Sequence, residues 1–340
     1  VAVAINARAA ARAQIGGVER LAREMAVRLP RLRPERYRVI RPPAMLAHRA
    51  GHLWEQAVLP LAGAGCELIY SPANLAPLAS RRNVVVIHDA APVRHPEAYA
   101  PAYRAYHRRL LGLLARRARL LLTVSEFSRQ ELIDVLGADP GRVRVVPEGV
   151  DERFSPRAPA LVPGAHGLRG PYVLVVGTAS RRKNLAVLHR AAAALAERGA
   201  ELVLAGSERA YLRSEEVPLR RLGYVPEEDL PSLYAGALAL VLPSLYEGFG
   251  LPCLEAMACG VPVVAAASGA LPETVGDAGI LVDARDAAAF ADAVLAAAFE
   301  EGTRRPLIAA GLRRAAGFSW TRTARQTDAA IGELLGGRLH

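Results

Sequence analysis

The chain has a single lysine. Of its 43 lysine and arginine residues in 340, Lys183 stands alone against 42 arginines. An ammonium is a compact point charge on a flexible stem, whereas a guanidinium is a wide planar fork, so the two are not interchangeable at a built site. The lone lysine is either a leftover in an Ala- and Arg-rich chain or a site that needs a small mobile cation. Cysteine is nearly as scarce. Cys66, Cys253 and Cys259 are odd in number and show no C-x-x-C spacing, which indicates neither a disulfide framework nor a zinc site and fits a reducing cytoplasm. Aromatics make up only 5%. The net charge of +10 therefore comes without the stacking residues or finger spacings of a nucleic-acid binder, and nucleic acid is not an expected partner. Apolar runs such as ALALVLPSL fall far short of the roughly 18 residues of a membrane span. No low-complexity tail is present. The opening VAVAINARAA has no charged region ahead of its apolar residues and reads as a first strand, not a signal peptide.

What is present is a regular alternation. Short Val/Leu/Ile runs are separated by longer Ala/Leu/Arg segments of helical period, the pattern of parallel strands joined by crossover helices, so the fold class is α/β. Strands are expected at 1–5, 37–40, 67–70, 84–88, 120–124 and 143–146, and again at 172–177, 202–206, 222–225, 238–243, 262–267 and 279–282. Between the two sets, FSPRAPALVPGAHGLRGP is dense in Pro and Gly and marks a linker over 154–171. Two domains follow, 1–153 and 154–318, with a closing helix at about 319–340 expected to return to the first. Ligands of open parallel sheets bind beyond the carboxyl ends of the strands. The polar and glycine-rich stretches do follow strands, which places their loops at an expected shared crevice.

The densest of these stretches is YEGFGLPCLEAMACG. It holds Glu247 and Glu255 with seven residues between them across a glycine-rich turn, with an Ala-rich helix expected to begin near Pro252 and Glu255 in its first turn. A helix N-terminus with exposed N–H groups, here those of Phe249, Gly250 and Leu251, favours phosphate. Carboxylates are acceptors suited to sugar hydroxyls. The plainer reading is a tight turn followed by an N-terminal helix charge. GFGLPC imitates a dinucleotide fingerprint, but Cys253 occupies the place of its third glycine. His48 and His52 have a metal-compatible i,i+4 spacing without a third ligand nearby, and an ordinary helix face is the better reading.

The motif EGFGLPCLEAMACGVPVV, with its E-x7-E pair, resembles the signature of the retaining glycosyltransferases of family 4. IGGVERLARE, VVVIHD, TVSEFSRQEL, VVPEGVDERFSP, VVGTASRRKN, LGYVPEEDLPSLYAGA and FSW resemble the same family in the same order. The resemblance implies a GT-B fold: two Rossmann-like parallel-sheet domains facing a central cleft, the first binding acceptor and the second a nucleotide-sugar. It implies that Lys183 and Arg182 contact the donor diphosphate, Glu255 the ribose and Glu247 the donor sugar, with the Phe249–Leu251 backbone beside them. His88 would lie near the transferred sugar, and Gly16 and Gly17 would let the first loop approach the phosphates. Thr178, Tyr224 and Val225 complete the donor side; Asp89, Ser125 and Glu126 are cleft candidates, although Asp89 and Ser125 would equally serve as turn and helix caps. Three departures stand out: Ser180 and Arg181 replace a common Glu-Pro, Thr178 replaces a common Arg, and PEGVD, with Glu148, replaces the commoner PNGVD.

Within the family the chain is most similar to bacterial transferases that add mannose or related sugars to polysaccharide or lipid-linked acceptors. GDP-mannose is the first-guess donor. No cofactor and no metal are expected, since the nucleotide-sugar is a co-substrate and no D-x-D motif is present. Lys183→Ala is expected to leave stability nearly unchanged. The rival readings are a dinucleotide-dependent oxidoreductase, a pyridoxal phosphate phosphorylase using Lys183, and a catalytically degenerate GT-B binding protein. Six arginines between Arg104 and Arg119 suggest a peripheral position on the inner face of the cytoplasmic membrane, against the plainer reading of a solvated helix face.

Overall fold

A computed structural model describes residues 1–12, 14–43, 46, 51–158, 164, 166–206 and 219–336. All twelve expected strands are present: β1 (Val3–Asn6), β2 (Tyr37–Ile40), β3 (Leu68–Ser71), β4 (Asn83–Val86), β5 (Leu120–Thr123), β6 (Val143–Val145), β7 (Tyr172–Val176), β8 (Glu201–Ala205), β9 (Arg220–Gly223), β10 (Ala239–Leu242), β11 (Val263–Ala266) and β12 (Ile280–Val282). They form two six-stranded sheets, ordered β2-β1-β3-β4-β5-β6 and β12-β11-β10-β7-β8-β9. Every pairing is parallel. Parallel sheets are covered on both faces, which is why Val84, Val85, Leu121, Val173, Leu174, Leu240 and Val241 are all buried to within 1%.

The chain divides into two compact units. The first comprises Val1–Arg94, Arg104–Gly149 and Trp320–His340; the second comprises His95–Tyr103 and Val150–Ser319. Segment 95–103 thus lies with the second unit, against the expected first domain of 1–153. Its contacts explain this, because the His95 ring packs edge-on against Tyr246 with centroids 5.2 Å apart. The helix Trp320–Gly336 is tied to the first unit by Asp328, which accepts hydrogen bonds from Tyr37 at 2.7 Å and from Arg36 at 2.6 Å. Trp320 at its start is 1% exposed.

In each sheet the strand order reverses once, and a crevice opens where neighbouring crossovers leave in opposite directions. In the second sheet that point lies between β7 and β10, in the first between β1 and β3. Helix ends follow local chemistry. The Ser125 hydroxyl accepts the Ser128 N–H to start Glu126–Leu136, and Gly137 at φ 68° ends it.

Candidate active site

The strand ends at the second reversal point deliver the lone lysine. After β7 the chain turns at Gly177, at φ 137°, into a short 3-10 turn, Arg181–Lys183. A Cβ on Gly177 would meet Lys183 Cε at 3.0 Å and Nζ at 3.1 Å, so glycine both permits the backbone angle and makes room for the lysine stem. Asn184, at φ 53°, donates from Nδ2 to Pro243 O at 3.1 Å and Ala284 O at 2.7 Å. It stitches the turn to the ends of β10 and β12.

Glu247 follows β10. Its carboxylate accepts Lys183 Nζ at 2.5 Å on Oε1 and faces Arg182 at 3.1 Å on Oε2. Arg182 also donates to Tyr246 O, and Leu245 N donates to Arg182 O at 2.9 Å. The three side chains are 11–17% exposed. Burial would raise the Glu247 pKa, but the charges of Lys183 and Arg182 and the lysine hydrogen bond outweigh it and hold the carboxyl down at about 2, against an ordinary 4.5. The Glu247 backbone is itself clasped. Ala270 N donates to Glu247 O at 2.9 Å, and a Cβ on Gly269, at φ 59°, would fall 2.7 Å from Glu247 N.

Glu255 lies deeper. The helix Leu251–Ala258 begins one residue earlier than expected, so Glu255 is in its second turn and not its first. It is 3% exposed and accepts the Tyr234 hydroxyl at 2.8 Å. Phe249 presents only backbone here: its ring is buried edge-on against Phe318 at 5.9 Å, and its carbonyl accepts from Thr274 Oγ1. Gly250 and Leu251 head the helix. Thr178 follows Gly177, and Tyr224 and Val225 follow β9, Tyr224 37% exposed and Val225 buried.

The other expected residues belong to the first unit. His88 follows β4 and is 7% exposed. Gly16 caps Gly17–Leu32 and donates its N–H to Glu19 Oε2 at 3.1 Å, while a Cβ on Gly17 would meet nothing within 4 Å. Gly17 is therefore not required by packing. Asp89 accepts from Ala91 N at 2.9 Å, and Ser125 is the helix cap already described, so both use their side chains as caps. Glu126 is exposed, 3.7 Å from Arg129.

Sequence reasoning missed a polar cluster at the first reversal point. Asn6, the last residue of β1, donates to Glu55 at 2.5 Å and to Ser71 at 3.3 Å, and Arg8 lies 3.3 Å from Glu55. Arg8 and Glu55 are 3% and 1% exposed. The available signal was Asn-x-Arg directly after a strand; Glu55 sits in an amphipathic stretch and gives none. His52 beside it is held neutral, its pKa lowered to about 4 by burial and by Arg8, His107 and Arg12. His48 lies outside the described residues. Among the described residues no group of three or more His, Cys, Asp or Glu could hold a metal ion, and no helix is long and apolar enough to cross a membrane. All three cysteines are buried and unpaired. Burial pushes the Cys253 thiol up strongly and Cys259 up to about 12, which disables both as nucleophiles.

Residues 170–298 match the family described as glycosyl transferases group 1, and residues 61–154 match glycosyltransferase family 4. The O-antigen chain mannosyltransferase B of Escherichia coli is 35% identical over 277 residues, 76% of this chain and 72% of that protein. The chain belongs to glycosyltransferase family 4. A D-inositol 3-phosphate glycosyltransferase of Salinispora arenicola is 38% identical to this glycosyltransferase over 60% of its length, but the match spans only 52% of that relative. Among solved structures, a sucrose-phosphate synthase from Thermosynechococcus elongatus superposes with a TM-score of 0.76 at 22% identity, covering 99% of both chains. Anabaena HepE in complex with UDP-glucose gives 0.73 at 20% identity over 97% and 99%. The glycosyltransferase has their GT-B fold.

Proposed function

We propose that this glycosyltransferase is a retaining, metal-independent hexosyltransferase. It takes a hexose, with mannose as first candidate, from a nucleotide-sugar, GDP-mannose first, and passes it to a hydroxyl of a glycan, a lipid-linked saccharide or a small molecule. The observation that carries the reading is the clamp of Lys183, Arg182 and Glu247 at the reversal point of the second sheet. Similarity to a mannosyltransferase supports the sugar.

In the resting site two cations share one carboxylate. A nucleoside diphosphate brings anionic oxygens that take over Lys183 and Arg182, which frees Glu247 to accept hydrogen bonds from the sugar hydroxyls. Glu255, held by Tyr234, accepts from the ribose, and the helix head at Phe249–Leu251 adds N–H donors and a positive dipole end. As the bond between sugar C1 and phosphate oxygen breaks, that oxygen gains negative charge. A preorganised cation there lowers the barrier by about 3–4 kcal/mol. The acceptor oxygen bonds to C1 on the same face, and its proton passes to the departing phosphate. No cofactor takes part. A compact ammonium follows the phosphate through this change more readily than a planar fork.

A position on the inner face of the cytoplasmic membrane belongs to the same proposal. On Pro101–Arg117, exposed Arg104, Arg108, Arg109 and Arg116 line a depression of about 650 Å³ whose apolar wall includes Val93, Leu113 and Val135. Incubating the purified protein with GDP-, UDP-, dTDP- and ADP-sugars tests the donor assignment through slow hydrolysis. Free mannose of unchanged anomeric configuration from GDP-mannose is expected; hydrolysis of none of the four overturns the reading.

A further inference from the structure

His88 and Glu148 form a buried pair that the family motif does not call for. His88 Nδ1 lies 3.2 Å from Glu148 Oε1, and Nε2 lies 3.1 Å from Pro72 O. The two side chains are 8% and 4% exposed. The backbone of His88 is fixed as well, because its N–H donates to Asn74 Oδ1 and its carbonyl accepts from Ser128 Oγ, both at 2.8 Å. A carbonyl oxygen can only accept, so Nε2 must carry hydrogen. With Glu148 ionised, its carboxylate can only accept, and Nδ1 facing it at 3.2 Å carries a hydrogen too.

We propose that Glu148 is a positioning residue that keeps His88 doubly protonated, a fixed imidazolium with no lone pair to take a proton from an acceptor hydroxyl. The opposite arrangement would leave the proton on Glu148 beside a bare Nδ1. It asks a carboxylate to hold the proton in place of an imidazole, the stronger base. Burial alone would lower the histidine pKa. The hydrogen bond and charge of Glu148, the Pro72 carbonyl and the charge of Asp89 act the other way, and the net shift is upward. Asn at 148, as in the commoner motif, could hold the ring in place but could not hold the charge.

The consequence for transfer rests on the reading that His88 lies beside the transferred sugar. There His88 supplies a permanent positive charge tempered by Glu148, and deprotonation of the acceptor falls to another group. The stability linkage has a definite sign. A folded-state pKa raised above the unfolded value contributes stability that is fully present below about pH 6.5 and is lost as pH rises through the folded value.

The test is a pH titration of histidine ring nitrogens by long-range 1H–15N correlation, on the full chain labelled at its eight histidines and without donor. One wild-type ring is expected to keep both nitrogens protonated at pH 7.5. In Glu148→Asn that ring becomes neutral at pH 7.5, its midpoint at or below about 6.5. His88→Gln, where it folds, removes the same signals; where it does not, the ring that differs between wild type and Glu148→Asn identifies itself. A wild-type protein with no persistent imidazolium at pH 7.5, or titrations unchanged in Glu148→Asn, overturns the proposal. Because the spectra are taken on resting protein, failure to find sugar transfer leaves this result intact.

Discussion

Removing the ammonium of Lys183 strands a buried carboxylate, and the cost follows from the site. Glu247 is 12% exposed, with Lys183 at 2.5 Å and Arg182 at 3.1 Å. Holding its carboxyl at about 2 instead of 4.5 favours the ionised form by about 3 kcal/mol, net of burial, which opposes it. Arg182 remains after Lys183→Ala, so the variant loses part of this, about 2 kcal/mol, close to the lower range for breaking a buried pair. The expectation from sequence of nearly unchanged stability does not survive the geometry. Glu247→Gln in the same background removes the stranded charge, and the double-mutant cycle should show a coupling of about 2 kcal/mol. Urea unfolding at pH 7 measures it. Far-UV circular dichroism is the signal of choice, because both tryptophans, Trp54 and Trp320, belong to the first unit. The pH dependence has a fixed direction: a depressed carboxyl contributes stability above about 4.5 that is lost as pH falls toward 2. Glu247→Gln should therefore flatten the acid limb. A coupling below about 0.5 kcal/mol would refute the clamp as a buried ion pair.

Three further outcomes are expected. Glu255→Gln should weaken calorimetric binding of nucleoside diphosphate and nucleotide-sugar alike, whereas Glu247→Gln should spare the diphosphate and impair transfer; equal losses in both variants contradict the division of labour. Transfer should persist in excess chelator, and its abolition with rescue by Mn²⁺ or Mg²⁺ would show that a metal shares the phosphate charge. Co-sedimentation with vesicles should rise with anionic-lipid content at low salt and fall at high salt, each well-placed arginine contributing about 1 kcal/mol; no binding to the most anionic vesicles points to a soluble acceptor.

The strands were legible because parallel strands buried on both faces read as unbroken Val/Leu/Ile runs. The largest offset is at β9, expected at 222–225 and found at Arg220–Gly223, where an edge position with exposed arginines hides the run. The clamp residues were legible as types and spacing, since Lys183 and Glu247 each follow a strand of the second sheet. Their pairing was not: it joins residues 64 positions apart and depends on β7 and β10 being neighbours. The same limit hid Asn6 with Glu55, joined across 49 positions, and the placement of 95–103. Asn184 was visible within RRKN, but its work in tying three strand ends together needs the sheet order.

The return of Trp320–Gly336 to the first unit has a consequence for biogenesis. A ribosome completes residues 1–149 long before it reaches Trp320, whose indole is sealed in that unit at 1% exposure. Tyr37, Arg36 and Pro147 await partners in Asp328 and Thr323 that are translated after the whole second unit. The second unit is whole once Ser319 has emerged and can mature during synthesis, while the first closes only after Trp320–Gly336 has emerged as well. A stop codon shortly before Trp320 would therefore yield a product with its later-made half intact and its earlier-made half open to chaperones and proteases.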